Sequence, residues 1–171
     1  EERGLRVASQ AGKGFFHRQE VQDLVALTRV RADASDTLAF GALMRGPLVG
    51  LSEEELLDIT HALPEGDSGK PAFFTVRTAL DAVAHPVARH VLAILRELRA
   101  KASTTAPALL LAEAAERLLV RPILAARERD RSARSAANVD VFIERARAYG
   151  VRGLRRSARD VTRDWKDGAP A

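Results

Sequence analysis

The sequence predicts an all-α fold of several packed helices, with a short extended segment at the N-terminus. Three observations carry this expectation. Apolar residues recur at helical spacing along most of the 171 residues. Helix-start chemistry stands where those stripes begin. Only "LRVAS" and "GKGFF", before residue 17, read as extended.

Taken in order, Val21, Leu24, Val25 and Thr28 share the first helical face. "SEEEL" from Ser52 to Leu56 is a capping box, because Ser52 and Glu55 can satisfy each other's backbone donors. "PEGDSGKPA", residues 64–72, reads as an exposed loop. Val87, Val91, Ile94, Leu95 and Leu98 follow the i, i+4, i+7, i+8, i+11 pattern of one helix face. Pro107 sits in a first-turn position ahead of Leu111, Ala114, Ala115 and Leu118. Val139, Phe142, Ile143, Ala146 and Tyr149 form another stripe, which Gly150 ends. Leu154, Ala158, Val161 and Trp165 form the last. No internal repeat interrupts this order.

Composition narrows the class. With 46% hydrophobic and 29% charged residues, the chain is expected to be globular rather than disordered. It has no cysteine, which removes disulfides and thiolate metal sites and suits a reducing cytoplasm, the expected location. The most apolar run, "APALLLAEAA", is too short to span a bilayer, so no membrane partner is expected. The chain opens at Glu1 rather than a methionine and is expected to be part of a longer polypeptide. Residues 1–85 carry nine Lys and Arg against thirteen Asp and Glu, whereas residues 86–171 carry eighteen against ten. The basic half is almost all arginine, whose planar fork suits phosphate oxygens but also serves ordinary helix surfaces.

Catalytic candidates do not survive their own chemistry. Gly12-Lys13-Gly14 lacks the Ser or Thr after the lysine that a Walker loop needs for magnesium, and no glycine stands five residues before Gly12. A tight turn accounts for it. His85 and His90 are five apart, not the i, i+4 pair that ligates zinc from one helix, and His17 and His61 are isolated. Glu53, Glu54 and Glu55 occupy a helix's first turn, where carboxylates complement the helix dipole. No catalytic residue, metal site or cofactor site is expected in the chain.

One stretch carries a more specific pattern. "GLRVASQAGKGFFHRQEVQDLVALTRVRADASDTLAFGALMRGPLVGLSEEELLDI", residues 4–59, resembles superfamily 1 DNA helicases of the UvrD/Rep and RecB/AddA kind. The resemblance rests on the aromatic pair Phe15 and Phe16, the helix pair Glu20 and Asp23, then Asp36, then the turn Pro47–Gly50. "RSAANVDVFIERARAYGVRGLRRSARDVTRDW", near the other end, resembles the family's asparagine-anchored helix and the one after it, with Asn138 in the anchoring place. Ser157 stands where an aromatic is common. Residues 60–130 match only in position and helical content.

The resemblance implies the accessory 2B subdomain, inserted into the second RecA-like motor domain. Residues 1–16 would be a strand, turn and hinge remnant of that motor, 17–165 the helical subdomain, and 166–171 the exit linker. The parent would use ATP and magnesium; this stretch would hold neither. Its partners would be duplex DNA, the motor domains and a partner subunit. The implied DNA contacts are Arg45 with the turn Gly50, Leu51 and Ser52, where UvrD-type lobes carry Gly-Ile-Gly, and Arg155, Arg156, Arg159 and Arg163 on a late helix. "RGPLVGLSEEEL" is closer to the RecB/AddA form, in recombinational repair. Two other classes stay open: a protein-interaction lobe without DNA affinity, and an independent helical enzyme, against which the missing catalytic set argues.

Overall fold

The structure, a computed structural model, describes residues 14–65, 72–127 and 131–150, together with 159, 162 and 163. Among these the chain is all-helical, with seven principal helices and no strand. They are α1 (Gln19–Ala32), α2 (Thr37–Arg45), α3 (Glu53–His61), α4 (Pro86–Ala100), α5 (Pro107–Arg117), α6 (Val120–Arg127) and α7 (Ser132–Gly150). The all-α expectation holds. Gly14 and Phe15, expected to be extended, are helical; "LRVAS" lies outside the described residues.

α1 is the axis of the packing, touching α2, α4 and α7. Its buried set is therefore wider than the single expected face. Val21, Leu24, Leu27 and Val30 are fully buried, and so nearly are the polar residues Glu20, Asp23, Thr28 and Arg31. A helix enclosed on most sides must satisfy polar groups internally or leave them unpaired at a cost. Thr28 solves this by donating to the Leu24 carbonyl at 2.8 Å. Arg99, on α4, donates to the carbonyls of Val30 and Arg31 at 3.0 and 2.8 Å, closing the C-terminal end of α1.

The next two helices start as their local chemistry dictates. Asp36 caps α2 by accepting the Ala39 amide at 3.0 Å, while its other oxygen takes Arg29 at 2.8 Å. Ser52 and Glu55 form the expected capping box: Glu55 N donates to Ser52 Oγ, and Ser52 N to Glu55 Oε2. α2 buries Phe40, Leu43 and Met44 against α1, whereas α3 is mostly exposed and buries Ile59. Phe74 packs edge-on against Phe40, with ring centroids 5.0 Å apart, bringing the segment after α3 back to the core.

α4 begins with Pro86 behind His85, whose Nδ1 accepts the Ala88 amide; its Nε2 lies 3.3 Å from Glu55 Oε1, tying α4 to α3. Val91, Ile94, Leu95 and Leu98 are buried, but Val87 is 44% exposed, and Ala88 takes its place at the buried face. α5 packs on α4, α6 and α7 through Leu110, Leu111, Ala114 and Ala115. Leu119, at φ 54, swings the chain from α5 into α6. Val139, Phe142, Ile143 and Ala146 form the buried stripe of α7, as their spacing predicts. The Leu154–Trp165 stripe and most of the 64–72 loop fall outside the described residues.

Candidate nucleic-acid interface

The two blocks singled out in the sequence meet at one polar joint. Asn138 Nδ2, on α7, donates to Glu20 Oε1, on α1, at 2.7 Å. Glu20 is nearly buried, so the bond supplies an otherwise enclosed carboxylate with a donor. Beside it, Phe16 is buried and Phe15 half-buried, their rings edge-to-face at 5.3 Å. The Arg145 guanidinium of α7 lies over both, 5.2 and 5.7 Å from the centroids. The aromatic pair, Glu20 and Asn138 thus form a single structural joint between the first and last principal helices.

Asp23 lies one turn further along α1. Its Oδ1 accepts from Gln19 at 2.9 Å, and its buried Oδ2 has no hydrogen-bond partner among the described residues. Burial raises its pKa from 3.8 to about 6, against the smaller opposing effects of the Gln19 bond and the Arg127 charge. Gly46 explains the crowding: a Cβ there would stand 2.8 Å from Asp23 Oδ1 and 2.8 Å from the Ala42 carbonyl. Asp23 therefore packs under the turn that follows α2. It is enclosed beneath that surface rather than presented on it.

That turn runs from Gly46 to Leu51 and is held by backbone bonds. The amides of Val49 and Gly50 donate to the Gly46 carbonyl, Leu51 to the Met44 carbonyl, and Ser52 to Glu55. Gly50 has φ +77, a conformation that favours glycine. All four amides are engaged within the chain, so a phosphate at this turn meets side chains rather than free N–H groups. Arg45 is ion-paired with Glu53 at 2.6 Å, both side chains being largely exposed. Such a pair is weak in water and yields readily to a stronger anion. Arg127 donates to the Pro47 carbonyl at 2.7 Å.

The late arginines divide. Arg155 and Arg156 lie outside the described residues; Arg159 and Arg163 are exposed and helical. Much of the remaining positive charge serves pairing within the fold. Arg117 bonds Glu97 at 2.7 Å, Lys101 bonds Glu113 at 2.6 Å, Arg147 bonds Glu144 at 2.7 Å, and Arg121 bridges Glu116 and Asp140. Among the described residues no three His, Cys, Asp or Glu side chains converge as a metal site, and no helix is long and apolar enough to cross a membrane.

Sequence reasoning missed Arg127, Arg99 and Arg31. Each works through a backbone carbonyl or a buried position remote in sequence, and no local spacing signals that. Arg31 is nearly buried, reaches the Pro107 carbonyl at 3.3 Å, and leaves Nε and Nη1 unpartnered among the described residues. Burial lowers its pKa to about 10.

No protein-family profile matches the chain. Part of it is similar to curated helicase–nuclease proteins. It is 31% identical over 64 residues to an ATP-dependent helicase/nuclease subunit of Desulfitobacterium hafniense, in strains DCB-2 and Y51. It is 30% identical over 67 residues to the protein of the same name from Natranaerobius thermophilus. These alignments cover 37–39% of this chain and 5% of each relative's length. The similarity is thus to a small part of ATP-dependent helicase/nuclease subunits.

Proposed function

We propose that the chain is an accessory duplex-DNA-binding and regulatory lobe of an ATP-dependent, RecB/AddA-like helicase–nuclease acting in DNA repair and recombination. The single observation that carries this is the Asn138–Glu20 bond: the two segments that resemble such helicases are joined to each other through the residues that carry the resemblance. The partial similarity to ATP-dependent helicase/nuclease subunits supports the same reading. ATP, magnesium and any nuclease centre belong to the parent's other domains. This lobe binds the duplex ahead of the motor, and its position regulates unwinding.

In this reading, Arg45 releases Glu53 to meet a phosphate, with Gly50, Leu51 and Ser52 shaping the turn beneath it. Arg155, Arg156, Arg159 and Arg163 add contacts. Backbone contacts alone give sequence-independent duplex binding on the order of 10⁻⁴ to 10⁻⁶ M at physiological salt. The test is fluorescence anisotropy of the 171-residue chain on two unrelated duplexes across a salt series. Equal, salt-steep affinity for both supports the lobe; no binding even at low salt refutes DNA handling.

The engaged amides of the Gly50 turn favour a second reading, a lobe that docks a partner subunit with no DNA affinity of its own. Tight binding to the parent's partner subunit, with none to duplex, selects it.

A further inference from the structure

The strongest unassigned feature is a cleft of ≈ 240 Å³ where the N-terminal ends of α1 and α7 converge, lined by Arg18, Arg131 and Arg134 together with His17, Gln19, Glu20 and Ser135. All three arginines are exposed. None is ion-paired with a described carboxylate, whereas Arg29, Arg45, Arg117, Arg121 and Arg147 are. Among the described residues the one acid lining the cleft, Glu20, is nearly buried and already takes the Asn138 amide. Among the described residues, three guanidiniums against one enclosed carboxylate make the lining net positive.

The placement of these charges differs from the starts of α2, α3 and α4. Three other helix starts carry acceptors, Asp36 at α2, Ser52 with Glu55 at α3, and His85 at α4, while α5 starts behind Ala106 with no side-chain cap. Arg18 and Arg131 instead stand directly before α1 and α7, their carbonyls accepting the first-turn amides of Val21, Gln22, Arg134 and Ser135 at 3.0 Å. A guanidinium has no acceptor with which to cap, and positive charge is unfavourable at the positive end of a helix. Three like charges around one cleft favour an anion placed between them. Local electrostatic conflicts of this type concentrate at functional positions.

We propose that this cleft grips a backbone phosphate of nucleic acid, making it a DNA contact separate from the Gly50 turn and from Arg159 and Arg163. The proposal rests on the DNA-lobe reading above. Arginine's planar fork gives two-point contact to a phosphodiester, and an open cleft lets a continuous strand pass where a closed pocket suits only a free ion. With no phenylalanine, tyrosine or tryptophan lining it among the described residues, the cleft reads the backbone and not the bases. It also lies beside the Glu20–Asn138 joint, so strand binding there bears on the packing of α1 against α7.

The test compares the wild-type chain with the triple variants Arg18→Ala/Arg131→Ala/Arg134→Ala and Arg18→Lys/Arg131→Lys/Arg134→Lys, by anisotropy on a labelled duplex across a salt series. Circular dichroism checks that each is folded. The alanine variant is expected to lose roughly tenfold or more in low-salt affinity, with the salt slope shallower by about two to three. The lysine variant is expected to keep most of the slope. A parallel NMR titration of the wild type, independent of any substitution, is expected to shift the Gln19 and Ser135 amides on adding duplex. Wild-type binding that the alanine variant retains in full, with those amides unmoved, overturns the cleft and leaves the DNA-lobe reading standing. Absence of any wild-type duplex binding at low salt overturns both. Amides that move with inorganic phosphate but not with duplex assign the cleft to a free anion and overturn the nucleic-acid proposal.

Discussion

Asn138 and Glu20 stand 118 positions apart in the chain and share a 2.7 Å hydrogen bond where α7 crosses α1. The bond is directional: the amide donates and the enclosed carboxylate accepts. Substituting Asn138→Asp puts a second carboxylate against Glu20 while keeping the shape. We expect a loss of about 3 kcal/mol, as for an unpaired buried charge, against about 1–2 kcal/mol for Asn138→Ala. Urea denaturation at neutral pH measures both, and equal losses for the two would show that charge at the joint is immaterial.

Asp23 makes stability depend on pH in an unusual direction for a carboxylate. Its folded-state pKa of about 6 lies above the ordinary 3.8, so the folded chain holds this proton more tightly than the unfolded chain does. The associated stability is complete below about pH 4 and is lost as pH rises through about 6, up to ~3 kcal/mol by linkage. Asp23→Asn keeps an oxygen for Gln19 and removes the charge. It is expected to raise the unfolding free energy at pH 8 by ~1–3 kcal/mol and to flatten the profile between pH 4 and 6. A variant no more stable than wild type at pH 8 would contradict this.

Gly46 and Gly41 offer a matched pair. A Cβ at Gly46 meets a backbone carbonyl and a carboxylate oxygen, each at 2.8 Å, whereas at Gly41 nothing lies within 4 Å. Gly46→Ala is expected to cost about 1–3 kcal/mol through overpacking. Gly41→Ala, inside α2, is expected to gain about 0.5–1 kcal/mol from helix propensity. Opposite shifts in melting temperature are the expected result.

Leu119 holds φ 54 with its side chain 58% exposed. The left-handed conformation costs a leucine roughly 1–2 kcal/mol, while glycine adopts it freely at a smaller cost in unfolded-state entropy. Leu119→Gly is therefore expected to stabilise the chain by about 0.5–1 kcal/mol, read from the denaturant midpoint. A lower midpoint would mean that leucine's contacts outweigh the strain.

Periodicity made the helices legible, since the stripes at Val91–Leu98, Leu111–Leu118 and Val139–Ala146 are the buried faces. The Ser52–Glu55 box was legible because its partners lie three residues apart. Single-face patterning could not show that α1 is enclosed on most sides, because enclosure depends on what packs against it. Asp23 illustrates the limit: its place in a Glu-x-x-Asp pattern was visible, but its burial beneath Gly46 was not. The arginines of the α1–α7 cleft were equally hidden. Residues 18, 131 and 134 become neighbours only after α7 has docked.

The enclosure of α1 also fixes an order of events in folding. Its apolar residues are synthesised well before the helix that covers one side of them, α7, which begins more than a hundred residues later. α2 arrives early and shields another side, but the surface around Val21 and Glu20 must wait for Val139 and its neighbours to be synthesised. Long-range closure of this type slows folding and leaves apolar surface uncovered in the interval. The lobe is therefore expected to complete its core only late in synthesis, with α1 held as a partly covered helix that chaperones recognise until α7 is made.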